Sequence, residues 1–130
     1  MAVQSFNHFN IRAPRPLLEA VRYFYVEVIG LEVGARPATS TYGYWLYLGD
    51  LPVLHLMEWT EPPTQPPSER TYLDHVAFSC SGVERFINKL DALGVDFKRR
   101  DFSFQGAEVT QLNLTDPVGT GVELNFSRAA

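Results

Sequence analysis

The pattern of apolar and polar residues predicts a strand, a helix and three further strands in the first half of the chain. Residues alternate in character over Phe6–Ile11, which is typical of a strand. Apolar residues recur at steps of three and four over Leu17–Val28, which predicts a helix that Gly30 would end. The next three apolar runs predict strands at Leu31–Arg36, Thr41–Leu48 and Pro52–Trp59. The predicted order of elements is therefore βαβββ.

The second half of the chain repeats this order. A strand is predicted at Tyr72–Cys80, followed by a helix that begins at Ser81 or Gly82 and ends near Leu93. Gly94 would close this helix as Gly30 closes the first. The remaining predicted strands are Val95–Phe102, Glu108–Leu114 and Gly121–Phe126.

Matching landmarks in the two halves are separated by nearly one interval. The intervals are 64 residues for Gly30 and Gly94, 67 for His8 and His75, and 68 for His55 and Glu123. A constant interval indicates a duplicated unit. We therefore expect a single α+β domain over residues 1–130, built from two βαβββ modules. Module one covers about 5–59, a proline-rich connector covers 60–71, and module two covers about 72–127.

The composition of the chain argues against some classes of binding partner and some classes of protein. The 130 residues carry a formal net charge of -4, which argues against nucleic acid or an anionic membrane surface as a partner. The only cysteine, Cys80, cannot form an internal disulfide, and its parity predicts a buried core position rather than a nucleophile. Neither a signal-peptide pattern nor an apolar run of about 18 residues is visible, so we expect a cytoplasmic protein without membrane spans.

Four side chains that can bind metal share the predicted helix-free faces of the strands. Side chains alternate across a strand, so parity gives the face on which each one lies. By this criterion the metal-binding candidates are His8, His55, His75 and Glu123. Imidazole and carboxylate groups suit a divalent metal such as Zn, Ni, Fe, Mn or Co. The alternative is that the histidines are ordinary strand residues satisfied by hydrogen bonds.

Several segments together resemble one known superfamily. They are NHFNI, FYVEVIGLEV, VLHLMEW, DHVAFSC, LDALGVDF and TDPVGTGVELNF. The resemblance is to the vicinal oxygen chelate superfamily, which includes glyoxalase I, extradiol dioxygenases and bleomycin-binding proteins. It covers nearly the whole chain and implies that the two modules form a U-shaped open barrel around a metal site. Dimers are common in this superfamily, so the resemblance also implies a homodimer.

The resemblance assigns roles to the same four side chains. His8 and His75 match the ligands of the first and fifth strands, and Glu123 matches the carboxylate ligand of the last strand. His55 stands where bacterial glyoxalase I has a Glu as its fourth ligand, so Glu123 would be the only carboxylate ligand and the catalytic general base. The implied function is a metal-dependent, glyoxalase-like lyase or isomerase, in which the metal polarises a carbonyl of the substrate.

The strands also predict a pocket beside these candidates. Trp45, Tyr47 and Met57 share the helix-free face with Asn10 in the first half, and Asn125 has the same parity as Glu123 in the second. These residues predict a largely apolar pocket for a small, hydrophobic, oxygenated substrate. Alternatively, Trp45 and Tyr47 fill the barrel mouth or a dimer contact. No basic cradle for glutathione or coenzyme A is visible, and no inward cluster of Arg or Lys.

Two alternative functions stay open. An extradiol dioxygenase with Fe(II) would carry a Tyr where this chain has Asn113, and a His where it has residues 104–106, so this class is less favoured. His55 would then be an acid–base residue instead of a fourth ligand. A non-catalytic protein that binds a small molecule such as an antibiotic is compatible with the negative charge, although such a protein does not need the ligand set.

Overall fold

The computed structural model describes residues 4–60, 73 and 75–129, which form two compact units over residues 1–65 and 66–130. The first unit contains β1 (Phe9–Ala13), α1 (Arg15–Tyr23) with a π-helical continuation (Phe24–Ile29), β2 (Glu32–Gly34), β3 (Gly43–Leu48) and β4 (Leu51–Glu58). The second unit contains β5 (His75–Cys80), α2 (Val83–Leu93), β6 (Lys98–Phe104), β7 (Ala107–Thr115) and β8 (Gly121–Ala129).

Each unit contains one mixed four-stranded sheet, and the two sheets have the same strand order. The first sheet has the order β1-β4-β3-β2 and the second has β5-β8-β7-β6. In each, the first strand pairs with the last in parallel, and the remaining pairs are antiparallel. The predicted α+β class with two βαβββ modules is therefore confirmed.

One face of each sheet packs against the helix of its own unit. In the first unit Leu46, Leu54 and Leu56 of this face are fully buried, and Tyr44 of β3 donates a hydrogen bond to Glu19 of α1. In the second unit Phe86 of α2 contacts Phe126 of β8 edge to face, with 5.9 Å between ring centroids. Because side chains alternate along a strand, the opposite face of each sheet carries the other set of residues. We call this opposite face the open face of the sheet.

Several boundaries differ from the sequence prediction. The first strand, predicted at Phe6–Ile11, instead runs from Phe9 to Ala13, because parallel pairing with β4 begins at Phe9 and Leu54. The strand predicted at Val95–Phe102 runs to Phe104. It continues because Gln105 and Gly106, both with positive φ, form a two-residue hairpin turn into β7. The predicted connector at 60–71 lies outside the described residues, apart from residue 60.

The first helix begins and ends near its predicted limits but changes its hydrogen bonding on the way. From Phe24 onward it is π-helical, and the N–H groups of Gly30 and Leu31 both donate to the Tyr25 carbonyl. Gly30 has a φ of 100°, a conformation that favours glycine and ends the helix. Within the described residues, the helices are too short and too polar to span a membrane.

Candidate functional site

The strand registers place one pair of candidate metal ligands in equivalent positions in each unit. In the first unit, Asn10 of β1 pairs with His55 of β4, and His8 lies two residues before Asn10. In the second unit, Ala77 of β5 pairs with Glu123 of β8, and His75 lies two residues before Ala77. Both pairs are therefore diagonal neighbours across a parallel strand pair. The duplication extends from the order of elements to the register of single residues.

His8, His55 and Trp45 form a stack of rings in the first unit. The His8 and His55 ring centroids are 3.8 Å apart with an interplanar angle of 13°. The Trp45 ring lies 3.9 Å from His55 with an angle of 8°. Trp45 and His55 are register partners across β3 and β4, which brings their side chains together on the open face. His8 itself is exposed and lies one residue before β1 begins.

Hydrogen bonds define which nitrogen of each of these imidazoles keeps a lone pair. His55 Nε2 is 3.1 Å from the Pro52 carbonyl oxygen, which can only accept, so this nitrogen donates and Nδ1 keeps its lone pair. His8 Nδ1 donates to Asn7 Oδ1 at 2.7 Å, so its Nε2 keeps the lone pair. Burial is the main cause that lowers the pKa of His55, and the neighbouring His8 and Arg36 lower it as well, whereas the hydrogen bond to the Pro52 carbonyl raises it in part. A lowered pKa favours the neutral imidazole, which is the form that binds metals.

In the second unit, Glu123 is oriented by two amides. Its Oε1 accepts hydrogen bonds from Gln111 Nε2 and from Asn125 Nδ2, each at 2.9 Å. Its Oε2 lies 3.7 Å from His75 Nε2. Because the two amides hold Oε1, the carboxylate cannot rotate freely and Oε2 is the atom directed toward the imidazole.

These arrangements are pairs, not a complete ligand set. Within the part of the chain that the structure describes, His, Cys, Asp and Glu side chains do not form a group of three or more that could hold a metal ion. The donor atoms identified above are His8 Nε2 and His55 Nδ1 in the first unit, and His75 with Glu123 Oε2 in the second.

A cavity of about 210 Å³ opens beside His55 on the first unit. Trp45, Met57 and Leu56 contribute apolar surface to its wall, and Asn10 contributes an amide. The remaining wall comes from the segment between β2 and β3 and consists of Arg36, Pro37, Thr39 and Thr41. Among the described residues that line the cavity, Arg36 is the only one with a permanent charge.

Two of the predicted pocket residues have specific partners elsewhere. Tyr47 packs its ring over Gly34, where a Cβ atom would come within 2.6 Å of the ring, and its hydroxyl donates to the Ala35 carbonyl at 2.5 Å. Asn125 of the second unit donates to Glu123 Oε1. Tyr47 thus supports the β2 end of the sheet, and Asn125 orients a carboxylate.

Neither Arg36 nor Gln111 was predicted from the sequence as a site residue. Arg36 was predicted to end the strand Leu31–Arg36, but β2 stops at Gly34 and Arg36 lies in the irregular segment that follows. Gln111 could have been found by parity, because it shares the open face of its sheet with its register partner Asn125. Cys80 is half-buried, and burial raises the pKa of its thiol, which disfavours the reactive thiolate.

Comparison with known proteins agrees with the architecture. The model of the Glyoxalase/Bleomycin resistance protein/Dioxygenase superfamily matches residues 5–124. A curated relative from Arabidopsis thaliana, Glyoxylase I 4, is 30% identical over 125 residues, which cover 92% of this chain and 69% of the relative.

Two solved structures are similar over almost their full length. Lactoylglutathione lyase from Agrobacterium tumefaciens has a TM-score of 0.62 at 17% identity, covering 97% of this chain and 96% of that chain. The fosfomycin resistance protein FosX from Listeria monocytogenes, in complex with Mn(II) and 1S,2S-dihydroxypropylphosphonic acid, has a TM-score of 0.64 at 19% identity, covering 95% and 92%. At these identities the structures show a shared fold. Together with the family match, the duplicated βαβββ units show that this chain belongs to the Glyoxalase/Bleomycin resistance protein/Dioxygenase superfamily.

Proposed function

We propose that the protein is a metal-dependent, glyoxalase-like lyase or isomerase whose metal ligands are His8, His55, His75 and Glu123. The observation that carries this proposal is the equivalent diagonal placement of one donor pair in each unit. Ordinary strand histidines have no reason to keep that placement in both copies of a duplicated unit. The FosX relative, which was solved with Mn(II), supports a divalent metal, and Zn, Ni, Fe, Mn and Co all suit these donors.

The donor chemistry of the first unit fits a metal. A ligating imidazole usually donates its second ring N–H to a carbonyl or carboxylate, which fixes the tautomer. His55 donates to a backbone carbonyl and His8 to a side-chain amide oxygen, so each keeps one lone pair in the ring plane. Because the two rings are stacked nearly parallel, one shared ion cannot lie in both planes. Joint binding by His8 and His55 therefore requires at least one ring to turn.

Glu123 is the proposed catalytic base. A divalent metal, when bound, polarises a substrate carbonyl and stabilises the negative charge that develops on its oxygen. Glu123 Oε2 takes the proton from the carbon next to that carbonyl and returns it to a neighbouring atom. The hydrogen bonds from Gln111 and Asn125 hold Oε1, so they position the carboxylate for this transfer.

The proposed substrate is a small, largely hydrophobic, oxygenated molecule. Trp45 and Met57 offer apolar contact in the cavity beside His55, while Asn10 offers a single amide. A volume of about 210 Å³ suits one aromatic ring with a short side chain. We further propose that residues 1–130 act as one domain in a cytoplasmic homodimer. Sedimentation analysis of the purified protein tests the dimer.

Metal analysis of protein purified without chelator tests the function. We expect about one divalent ion per chain, with His75→Ala and Glu123→Gln each lowering metal affinity by at least ~10-fold. Glu108→Gln is the matched control, because Glu108 bonds to Ser103 away from the donor pairs. Absence of stoichiometric metal, together with unchanged stability and ligand binding in His75→Ala, would contradict the proposal.

The same protein distinguishes the alternatives. If His55→Gln keeps the metal while His8→Gln loses it, His55 acts on protons instead of on the metal. Anaerobic loading with Fe(II), followed by oxygen-uptake measurements with catechols, then tests extradiol cleavage. Tight binding of small aromatic molecules that survives removal of the metal, without turnover, would identify a non-catalytic binding protein.

A further inference from the structure

The segment between β2 and β3 brings one cationic group to the cavity of the first unit. Arg36 is held there by its Nη2, which donates to Thr41 Oγ1 at 3.1 Å. Thr41 is in turn tied to Thr39, since their hydroxyl oxygens are 3.0 Å apart and the Thr41 N–H donates to Thr39 Oγ1 at 3.2 Å. The guanidinium and two hydroxyls thus form one connected group, which we call the Arg36 cluster.

The Arg36 cluster has unused hydrogen-bonding capacity. Arg36 Nε is buried and has no hydrogen-bond partner in the described part of the chain. Over the same residues, no carboxylate lies within ion-pair distance of Arg36, although Arg15, Arg22 and Arg99 each have at least one. A buried donor without an acceptor is unfavourable, and an unpaired charge is more so. The cavity wall therefore contains a cation for which the described residues supply no counter-ion.

We propose that the Arg36 cluster binds a carboxylate group of the substrate, so that the substrate is a small carboxylic acid with an apolar body. This inference rests on the proposed function, because it names the substrate class of the same cavity. A guanidinium offers two parallel N–H groups that match the two oxygens of a carboxylate. Because Nε is buried, a carboxylate reaches it only when the guanidinium turns and Nη2 releases Thr41 Oγ1. The carboxylate then accepts from Nε and Nη2, and the hydroxyls of Thr41 and Thr39 remain as donors.

Charge and shape favour a monoanion. Arg36 provides the one permanent positive charge among the described residues of the cavity wall. One charge balances a carboxylate but leaves a phosphate or phosphonate dianion partly uncompensated. The apolar body would lie against Trp45 and Met57, which line the same cavity. The substrate is thus expected to be charged at one end, not uniformly apolar.

Matched ligands test the inference. The probes are 3-phenylpropanoate, its neutral amide and phenylphosphonate, titrated into the full chain before and after dialysis against a chelator. We expect the carboxylate to bind about 10–100-fold more tightly than the amide in both preparations. Arg36→Gln should abolish this preference by weakening only the carboxylate, while Arg128→Gln, which removes an exposed arginine of β8, should preserve it.

A second measurement does not depend on affinity. The ¹H–¹⁵N signal of Arg36 Nε, assigned by its loss in Arg36→Lys, should shift on addition of the carboxylate and stay unchanged with the amide. Equal binding of carboxylate and amide, or a preference that survives Arg36→Gln, overturns the inference. A preference present only before dialysis assigns the carboxylate to the metal and also overturns it. Tighter binding of phenylphosphonate than of the carboxylate rejects the monoanion. Because the titrations are repeated without metal, failure of the proposed function leaves this test intact.

Discussion

The open faces of the two sheets differ in chemistry although their backbones are equivalent. The first has a stack of three rings around His55, and the second has a carboxylate, Glu123, held by two amides. Strand order and register are the same in both, including the diagonal offset of the candidate ligands. The comparison shows that register alone can preserve a donor geometry while neighbouring side chains change.

The two open faces differ at the residues that pair with His55 and Glu123, the candidate ligands on the last strand of each sheet. Trp45 is the β3 partner of His55, whereas Asn113 is the β7 partner of Glu123. A stacked ring gives a flat apolar surface, while amides give directed hydrogen bonds. On the proposed function, the open face of the first sheet would bind the substrate and that of the second would transfer the proton.

Among the substitutions that test this difference between the two faces, Glu123→Gln should have the largest effect. The substitution preserves size but removes the carboxylate that accepts the proton. We expect the metal-dependent exchange of hydrogen for deuterium next to the carbonyl of 2-oxo-3-phenylpropanoate, measured by NMR, to slow by about 10²–10⁴-fold. Glu108→Gln should exchange at the wild-type rate. An unchanged rate in Glu123→Gln would move the base to another residue, with His55 the first to examine.

Paired substitutions in the cores test whether the two sheets are equivalent as scaffolds. Leu54 of β4 and Leu124 of β8 are both fully buried and pair with the first strand of their own sheet. Leu54→Ala and Leu124→Ala should each lower the free energy of unfolding by about 2–5 kcal/mol. Urea denaturation of the full chain measures both. A cost below about 1 kcal/mol for only one of them would show that the scaffolds are not equivalent.

Much of this architecture could be predicted from the sequence because it depends on periodicity. Alternation gives strands, three- and four-residue steps give helices, and Gly30 and Gly94 end the helices in both halves. The predicted start of β1 was wrong because the limits of this strand depend on hydrogen bonding to β4, which lies more than 40 residues away in the sequence. Local alternation contains no information about that partner.

The site was less accessible to sequence reasoning than the fold. Parity indicates that His55 and Trp45 lie on one face, but their stacking depends on the β3–β4 register. Arg36 reaches the cavity from an irregular segment, where neither period applies. The sequence therefore predicts the face on which a side chain lies better than it predicts the partner that the side chain meets.

The two units also differ in the surroundings of an acidic side chain that accepts several hydrogen bonds. In the first unit, Glu19 of α1 accepts hydrogen bonds from the hydroxyls of Tyr42 and Tyr44, and from Arg22. In the second, Asp101 accepts from Arg99 and Thr110 on an exposed strand. These contacts lower the pKa of both carboxyl groups, chiefly through Tyr42 for Glu19 and through Arg99 for Asp101. Solvent and salt screen the exposed pair more strongly.

The free energy of unfolding should therefore depend on pH through Glu19 and not through Asp101. This is the smallest of the three effects predicted from the comparison of the two units. A carboxyl group whose pKa is lower in the folded state stabilises the fold above its unfolded pKa, and this stabilisation is lost as the pH falls through the folded value. Glu19→Gln should lower the free energy of unfolding by about 1–2 kcal/mol at pH 7 and flatten its decline between about pH 5 and pH 2. Asp101→Asn should leave the profile unchanged, measured by urea denaturation across that range. An equal response of both variants would mean that the Tyr42–Tyr44–Glu19 contacts, despite their partial burial, stabilise the first unit no more than an exposed ion pair stabilises the second.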